Sequence, residues 1–306
     1  MNAREKYVGL NSIEFYKRFQ TEEDCLQNLS AIKWQNGYVC KKCGHTTFCK
    51  GAKAYSRRCV KCKYDESPTA QTMFDKIKFS LLIAFHICFK ISTKKKGMSS
   101  LELSEEFGLR QMTVWQFKWK IQQAMSSSGQ HKLEGLVHVD EFLIGEYEEG
   151  KVGRSGESKK KLVVVALEIL EDKVGVGRAY AQIIESASSK EFRPFFEAYI
   201  SKEAHIITDI WKGYLPLKKD YHNLEQIPSK KGKNFKQLHI HIMNIQSWLR
   251  GIHHHCSKER MQGYLDEYHF RYNRRAFMGS IFDLLIERMV CVEPKRLTNN
   301  NITTAT

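Results

Sequence analysis

Cys40-x-x-Cys43 is followed fifteen residues later by Cys59-x-x-Cys62. Two such pairs in a short lysine-rich stretch leave few ways to fold. A two-residue gap puts both thiolates of a pair on one tight knuckle, and four thiolates close a tetrahedral shell around one ion. That shell leaves no position for water, which makes the ion structural and not catalytic. A module this short buries too little apolar surface to fold without it. The spacing predicts a zinc ribbon with Zn2+ on Cys40, Cys43, Cys59 and Cys62, against the bland alternative of four unligated thiols. His45 and Cys49 lie inside the loop as substitutes that would break the symmetry. Lys41, Lys42, Lys50, Lys53, Arg57, Arg58, Lys61 and Lys63 surround the module. Such a shell suits DNA phosphates, or is simply a solvated face.

The chain has 306 residues, 42% of them hydrophobic, and a net charge of +15. That is enough for two or three domains with a sizeable core. The excess of positive charge points to a polyanion, most simply nucleic acid. No N-terminal apolar stretch resembles a signal peptide. The longest apolar run, Leu81 to Phe89, falls well short of the ~18–20 residues of a membrane span. An intracellular protein with no membrane partner is expected. Nine cysteines in a reducing compartment then read as metal ligands, not disulfides.

Periodicity predicts a helix over 11–30 and another over 78–91, with the loop-and-hairpin module of 38–66 between them. Ser99 to Arg110 and Gln111 to Met125 read as two helices flanking a short turn at Gly108. Leu101, Leu103, Phe107, Val114, Phe117 and Ile121 would pack that pair together. Arg110, Gln111, Thr113, Gln116 and Lys118 would then face DNA at the start of the second helix. The competing reading is an ordinary helical hairpin. Ser126 to Gly129 marks a linker. Beyond it strands are expected at 134–143, 161–170, 173–184 and 204–209, with a shorter one near 222–227. Helices are expected at 188–200, 234–250, 258–273 and 280–290, and the polar tail after 297 should be disordered. The domains are expected at 1–75, 76–128 and 129–291, with a tail of 292–306.

Within the second half, Leu136-Val137-His138-Val139-Asp140 and His205-Ile206-Ile207-Thr208-Asp209 each run from apolar strand to aspartate. The order strand, strand, strand, helix, strand, helices is that of an RNase H-like domain, so the fold class is α+β with a mixed sheet. In that arrangement the first and fourth strands are neighbours, and Asp140 and Asp209 meet at one sheet edge. Two carboxylates there can share divalent metals, Mg2+ or Mn2+, which activate the attacking oxygen and stabilise the leaving one. Either aspartate alone would usually be a turn former or helix cap. Alternation points Glu141 to the other face. Asn244, on a helix beyond them, fits the place of a third ligand. Trp211 and Tyr214 follow Asp209 and could stack on an unpaired base, or be core. The glycine-rich basic stretch from Gly150 to Lys161 includes Arg154, Lys159 and Lys160. It suits a DNA backbone, or is a solvated hairpin tip.

The chain resembles insertion-sequence transposases of the ISXO-like group in the DDE superfamily. The likeness runs over about residues 14–290. It is carried by Asp24-Cys25-Leu26, Lys33-Trp34, Gly37-Tyr38-Val39-Cys40 and the ribbon, then by His138-Val139-Asp140-Glu141 and Thr208-Asp209-x-Trp211-Lys212-Gly213-Tyr214. It continues in His241-Ile242-Met243-Asn244, in Trp248-Leu249-Arg250-Gly251-Ile252-His253-His254, and in Tyr264-Leu265-Asp266-Glu267-Tyr268-x-Phe270-Arg271-Tyr272-Asn273-Arg274-Arg275. The resemblance implies cut-and-join chemistry at the ends of a mobile element in a prokaryotic cytoplasm, on the nucleoid. It implies a catalytic set of Asp140, Asp209 and Asn244. Related Asn-bearing sequences carry a Lys shortly after the Asn; this chain has Gln246, with Arg250 the nearest following base. Glu267, Arg271 and Arg274 share a helix face. Glu267 would orient Arg271 toward a phosphate, or the pair is a surface ion pair of little worth. His241 would contact a phosphate or metal, or be packed.

The expected partners are the double-stranded DNA of element ends and target, and a second copy of the chain, since two ends must be paired. Two other readings stay open: a DNA-binding regulator without catalysis, and an RNase H-like nuclease of another role, such as a junction resolvase that does not join strands.

Overall fold

The computed structural model describes residues 10–145, 160–170, 175–252 and 258–292. Arg154, Lys159, His253, His254 and the polar tail lie outside the described residues. The chain divides into two compact units, one of Met1–Met125 with Arg274–Thr306 and one of Ser126–Asn273.

In the first unit, the helix expected over 11–30 is two helices, α1 (Ser12–Arg18) and α2 (Glu22–Lys33). The break has a local cause. Asn11 with Glu14, and Thr21 with Asp24, each form a reciprocal capping box that starts a new helix. Strands β1 (Phe48–Lys50), β2 (Arg57–Cys59) and β3 (Asp65–Glu66) form a small antiparallel sheet. Lys33 fastens α2 to the exit of that sheet: its Nζ lies 2.7 Å from the buried Glu66 carboxylate and donates to the carbonyls of Ser67 and Ala70. Next come α3 (Leu81–Thr93), α4 (Ser100–Phe107) and α5 (Gln111–Met125). Gly108 closes α4 in the left-handed region, φ +62°, where a side chain is disfavoured.

The second unit holds β4 (Leu136–Ile144), β5 (Lys161–Ile169), β6 (Val176–Ile184), α6 (Ser189–Tyr199), β7 (His205–Thr208), β8 (Leu224–Gln226), α7 (Lys236–Ile252) and α8 (Lys258–Tyr272). The five strands lie in the order β6-β5-β4-β7-β8. β4 to β6 pair antiparallel, and β7 and β8 join in parallel. This is the RNase H-like mixed sheet expected from the element order. Strand alternation sorts the core into two layers. Val137, Val139, Val164 and Ala166 pack on Phe192, Phe195, Phe196 and Tyr214. Phe142, Val163, Val165 and Leu167 face the other way, onto Phe235, Leu238, Ile242, Ile245 and Leu265.

The outer edge of β6 is capped by α8. Asn273 exchanges two hydrogen bonds with the backbone of Ala179, both at 2.9 Å. Gln262 accepts from the Ile183 amide and donates to the Ala181 carbonyl. Side-chain amides there take the place of a neighbouring strand.

The last helix, α9 (Ile281–Cys291), belongs to the first unit, whereas the sequence division placed it with the catalytic domain. Its apolar face, with Phe282, Leu285 and Met289, is buried. Phe282 packs edge-on against Phe15, Phe85 and Phe89 of α1 and α3. An amphipathic helix does not declare in sequence which core its stripe joins.

Candidate active site

β4 pairs in parallel with β7 from Leu136↔His205 to Val139↔Thr208. The next residue on each strand is Asp140 and Asp209. Asp140 lies inside the strand expected over 134–143: β4 runs four residues beyond it, to Ile144, paired with β5 throughout. What ends at Asp140 is the ladder with β7. The two aspartates thus share the point where the β4–β7 ladder stops.

Both carboxylates are held. Asp140 Oδ1 accepts from the Glu141 amide at 2.8 Å, and Oδ2 lies 3.1 Å from His239 Nε2. Asp209 Oδ1 accepts from the Trp211 amide at 3.0 Å, while Gln226 donates to the carbonyls of Asp209 and Trp211. Burial holds the Asp140 carboxyl above the ordinary carboxylate range; the Glu141 amide and His239 work against this, and the nearby Asp209 charge adds to it. Two anions this close favour a cation between them.

Asn244 lies on α7 with its side chain exposed. It is five positions beyond His239, about 140° around the helix axis. Among the described residues, the α7 side chain hydrogen-bonded to Asp140 is that of His239. Sequence reading passed over His239 because it stands outside the motif around Asn244. Its phase with Gln246, seven residues on, was the available signal. Gln246 donates to the Leu143 carbonyl at 3.2 Å, so α7 lays that edge along β4. Exposed Lys230, Lys231, Lys233 and Lys236 lead up to His239, and Lys212 follows Asp209.

Glu141 points to the opposite face, as alternation requires, and accepts from the fully buried Tyr214 hydroxyl at 2.5 Å. Tyr214 stacks on Phe192 at 4.4 Å, so it is core and not a platform for a base. Trp211 packs against the same core, and its indole N–H donates to the Ala187 carbonyl at 2.7 Å. His241 is buried too, with Nε2 3.2 Å from His269 Nε2 and its ring against Tyr272.

The Glu267–Arg271 pair is no surface ion pair. Arg271 Nη1 donates to Glu267 Oε1 at 2.7 Å with both side chains buried, and the guanidinium lies 5.3 Å from the Trp248 ring. Arg271 thus sits inside the α7–α8 layer. Arg274 is half-buried, and Arg250 is exposed. Lys160, the described end of the basic stretch, is half-buried beside Gly145.

In the two-helix segment, Leu103, Val114, Phe117 and Ile121 are buried as expected, while Leu101 is exposed. Arg110 and Gln111 are exposed at the start of α5, with Thr113 and Gln116 half-buried. Lys118 is not available to DNA: it is buried, and its Nζ donates to the Met98 carbonyl.

The four ribbon sulfurs lie within 4.8 Å of one another. Cys40 to Cys62 is 3.5 Å and Cys43 to Cys59 is 3.6 Å, close to the ~3.8 Å edge of a tetrahedron with Zn–S bonds of about 2.3 Å. The two knuckles match. Gly44 donates to the Cys40 carbonyl and Lys63 to that of Cys59, and both donors are left-handed, at φ +72° and +59°. The Cys62 amide leads in holding the Cys59 thiol below its ordinary value. Burial pushes Cys40 up, but the amides of Lys42 and Cys43 outweigh it and bring it to about 6. Against the His45 amide, burial and the neighbouring thiols push Cys43 up to about 12. Four sulfurs this close suit a thiophilic cation. Cys49 bonds to the Arg58 carbonyl and stays outside the cluster.

Residues 132–273 match the model of the ISXO2-like transposase domain. A solved structure titled as a pre-cleavage Mos1 transpososome aligns at 12% identity, with a TM-score of 0.28, over 66% of this chain and 76% of that one. That likeness is too loose to transfer anything to this protein. No curated protein matches the chain.

Proposed function

We propose, from the match of residues 132–273 to the ISXO2-like transposase domain, that this chain cuts the ends of an insertion sequence and joins them to target DNA, using Asp140 and Asp209. The observation that carries this reading is the parallel pairing of β4 with β7, which stops at Val139↔Thr208 and brings the two aspartates to one edge. The two carboxylates offer oxygen donors, which suit Mg2+ or Mn2+. Asp140 and Asp209 would hold the divalent ions, whose chemistry would be to activate a water or 3′-hydroxyl and to stabilise the leaving oxygen.

The chain's own residues do the rest. The Glu141 amide and His239 fix the Asp140 carboxylate, and the Trp211 amide fixes Asp209. Both are oriented before substrate arrives, so little reorganisation is left for the reaction. The exposed lysines of 230–236, which lead up to His239, and Lys212, which follows Asp209, suit the phosphates on either side of the cut. Arg110 and Gln111 at the start of α5, with the basic ribbon, suit recognition of the element end. The ribbon holds structural Zn2+ on its four cysteines. Pairing two DNA ends calls for a homodimer on DNA; a monomer holding both ends, seen by light scattering of the complex, would overturn that part.

The test is incubation with DNA carrying the gene's own flanks and Mg2+ or Mn2+, beside Asp140→Asn and Asp209→Asn. Metal-dependent nicking at a flanking repeat, followed by joining, is expected, and each variant should abolish both. Binding with no cut in any of the three proteins would make the chain a regulator. Cutting of branched DNA without joining would make it a resolvase.

A further inference from the structure

Arg57 lies on β2, the central strand of the ribbon sheet, with an aromatic ring on either hand. Its guanidinium carbon is 4.5 Å from the centre of the Trp34 ring and 4.1 Å from that of Phe48. The strand register explains the placement. Phe48 pairs with Cys59, Lys50 with Arg57, and Arg57 with Glu66, so these five side chains share one face of the sheet.

The rings hold Arg57 without neutralising it. Among the described residues no carboxylate pairs with its guanidinium and no acceptor takes its N–H groups. Glu66, directly across from it, is taken by Lys33 at 2.7 Å. Arg58, the next residue, is the contrast. It belongs to the opposite face, and its Nε and Nη2 donate to Asp65 at 3.3 and 3.2 Å. The fold itself satisfies Arg58 and leaves Arg57 to an outside anion.

The chemistry of that anion follows from the side chains. A planar guanidinium offers its donors in pairs, which matches a phosphate. Held by two rings, it has little rotamer freedom left to lose on binding. The exposed Lys50, opposite it on β1, adds a second cation to the same face. From Tyr38 to Tyr64 the sequence holds six Lys, two Arg and no acid, an excess that outweighs a dianionic zinc–thiolate shell. Phe48 is already covered by Arg57 and packs on Tyr38 at 5.1 Å, so it supports the guanidinium and is not a platform for a base.

We infer that Arg57 is the phosphate clamp of the ribbon, and that the sheet face carrying Lys50 and Arg57 lies on the backbone of duplex DNA while the Arg58 face does not. The inference rests on the proposed DNA binding of the ribbon and names the face and the side chain that make the contact.

The test is a salt titration of the full chain, loaded with zinc, on duplex DNA carrying the gene's own flanks and on an unrelated duplex of equal length. Arg57→Gln should weaken binding to both duplexes alike and reduce the slope of log binding constant against log salt by about 0.9. Arg57→Lys should recover most of that slope, and Arg58→Gln should keep the wild-type value. Zinc content and tryptophan fluorescence report whether the ribbon is folded in each variant. Should Arg57→Gln release zinc, the exposed Lys50→Gln takes its place with the same expected drop. An unchanged slope in folded Arg57→Gln, or in Lys50→Gln where it stands in, overturns the clamp and leaves the DNA-binding reading intact. So does an equal drop in Arg58→Gln, or a change of sequence preference at unchanged slope. If the wild type shows no salt-dependent DNA binding at all, the DNA-binding reading itself is wrong, and Arg57 falls with it.

Discussion

The hydroxyl of Tyr214 donates to the carboxylate of Glu141 at 2.5 Å, in the layer of the sheet opposite Asp140. Adjacent acids on one strand therefore have separate fates. Asp140 is turned toward α7, where it meets His239, and Glu141 is buried against an aromatic core. Tyr214→Phe keeps the ring stack on Phe192 and removes one hydrogen bond from a buried carboxylate. A loss of about 1.5–3 kcal/mol in urea unfolding is expected, with DNA cleavage by the folded fraction kept. A loss of cleavage without loss of stability would place Tyr214 in the chemistry instead.

Removal of zinc should act on the ribbon. Trp34, Tyr38, Cys40 and Cys59 form its small core, and that core is too thin to stand without the ion. Cys59→Ser, or a strong chelator, should release one Zn2+ per chain in a colorimetric assay and melt the ribbon. Far-ultraviolet circular dichroism should still show the strands and helices of residues 126–273. Retention of the ribbon's tryptophan fluorescence and protease resistance after zinc release would refute a structural ion.

Much of this was legible in the sequence. The element order from β4 to α8 and the cysteine spacing follow from local patterns, since strand alternation and knuckle geometry span only a few residues. The meeting of Asp140 with Asp209 was legible because parallel neighbours follow from that order. What was not legible depended on tertiary context. His241, Tyr214 and Arg271 carry polar groups that read as functional, and only packing shows that each is buried. His239 looked ordinary because its partner is 99 residues away along the chain. The assignment of α9 to the first unit likewise turns on which core its apolar stripe meets.

Arg271 offers a direct contrast between resemblance and packing. A phosphate contact would make Arg271→Ala reduce the slope of log binding constant against log salt by about 0.9. The buried pair with Glu267 instead predicts a stability loss of about 3–5 kcal/mol, because one buried charge is left behind. Denaturant unfolding should show that loss. Salt titration of DNA binding, run where the variant stays folded, should give an unchanged slope. A reduced slope with little loss of stability would return Arg271 to the DNA surface.

The His241–His269 contact predicts a pH dependence of folding. His269 Nδ1 donates to the Leu265 carbonyl at 2.7 Å, so its Nε2, facing His241 Nε2, is left to act as acceptor. Burial pushes the His269 pKa down to about 4, with the Leu265 bond only partly opposing it. Around it are Tyr268 and His241, with Tyr272 on the far side of His241. The unfolded chain takes up this proton near pH 6.5 and the folded chain only near 4. Between those values the unfolded state binds more protons, so stability falls as the pH falls. The contribution is complete above about pH 6.5 and lost by about pH 4. Melting temperature measured from pH 7.5 to 4.5 should drop more steeply in the wild type than in His269→Leu, which has no proton to gain at this site. Parallel curves for the two proteins would show that the buried imidazole is not what responds to acid.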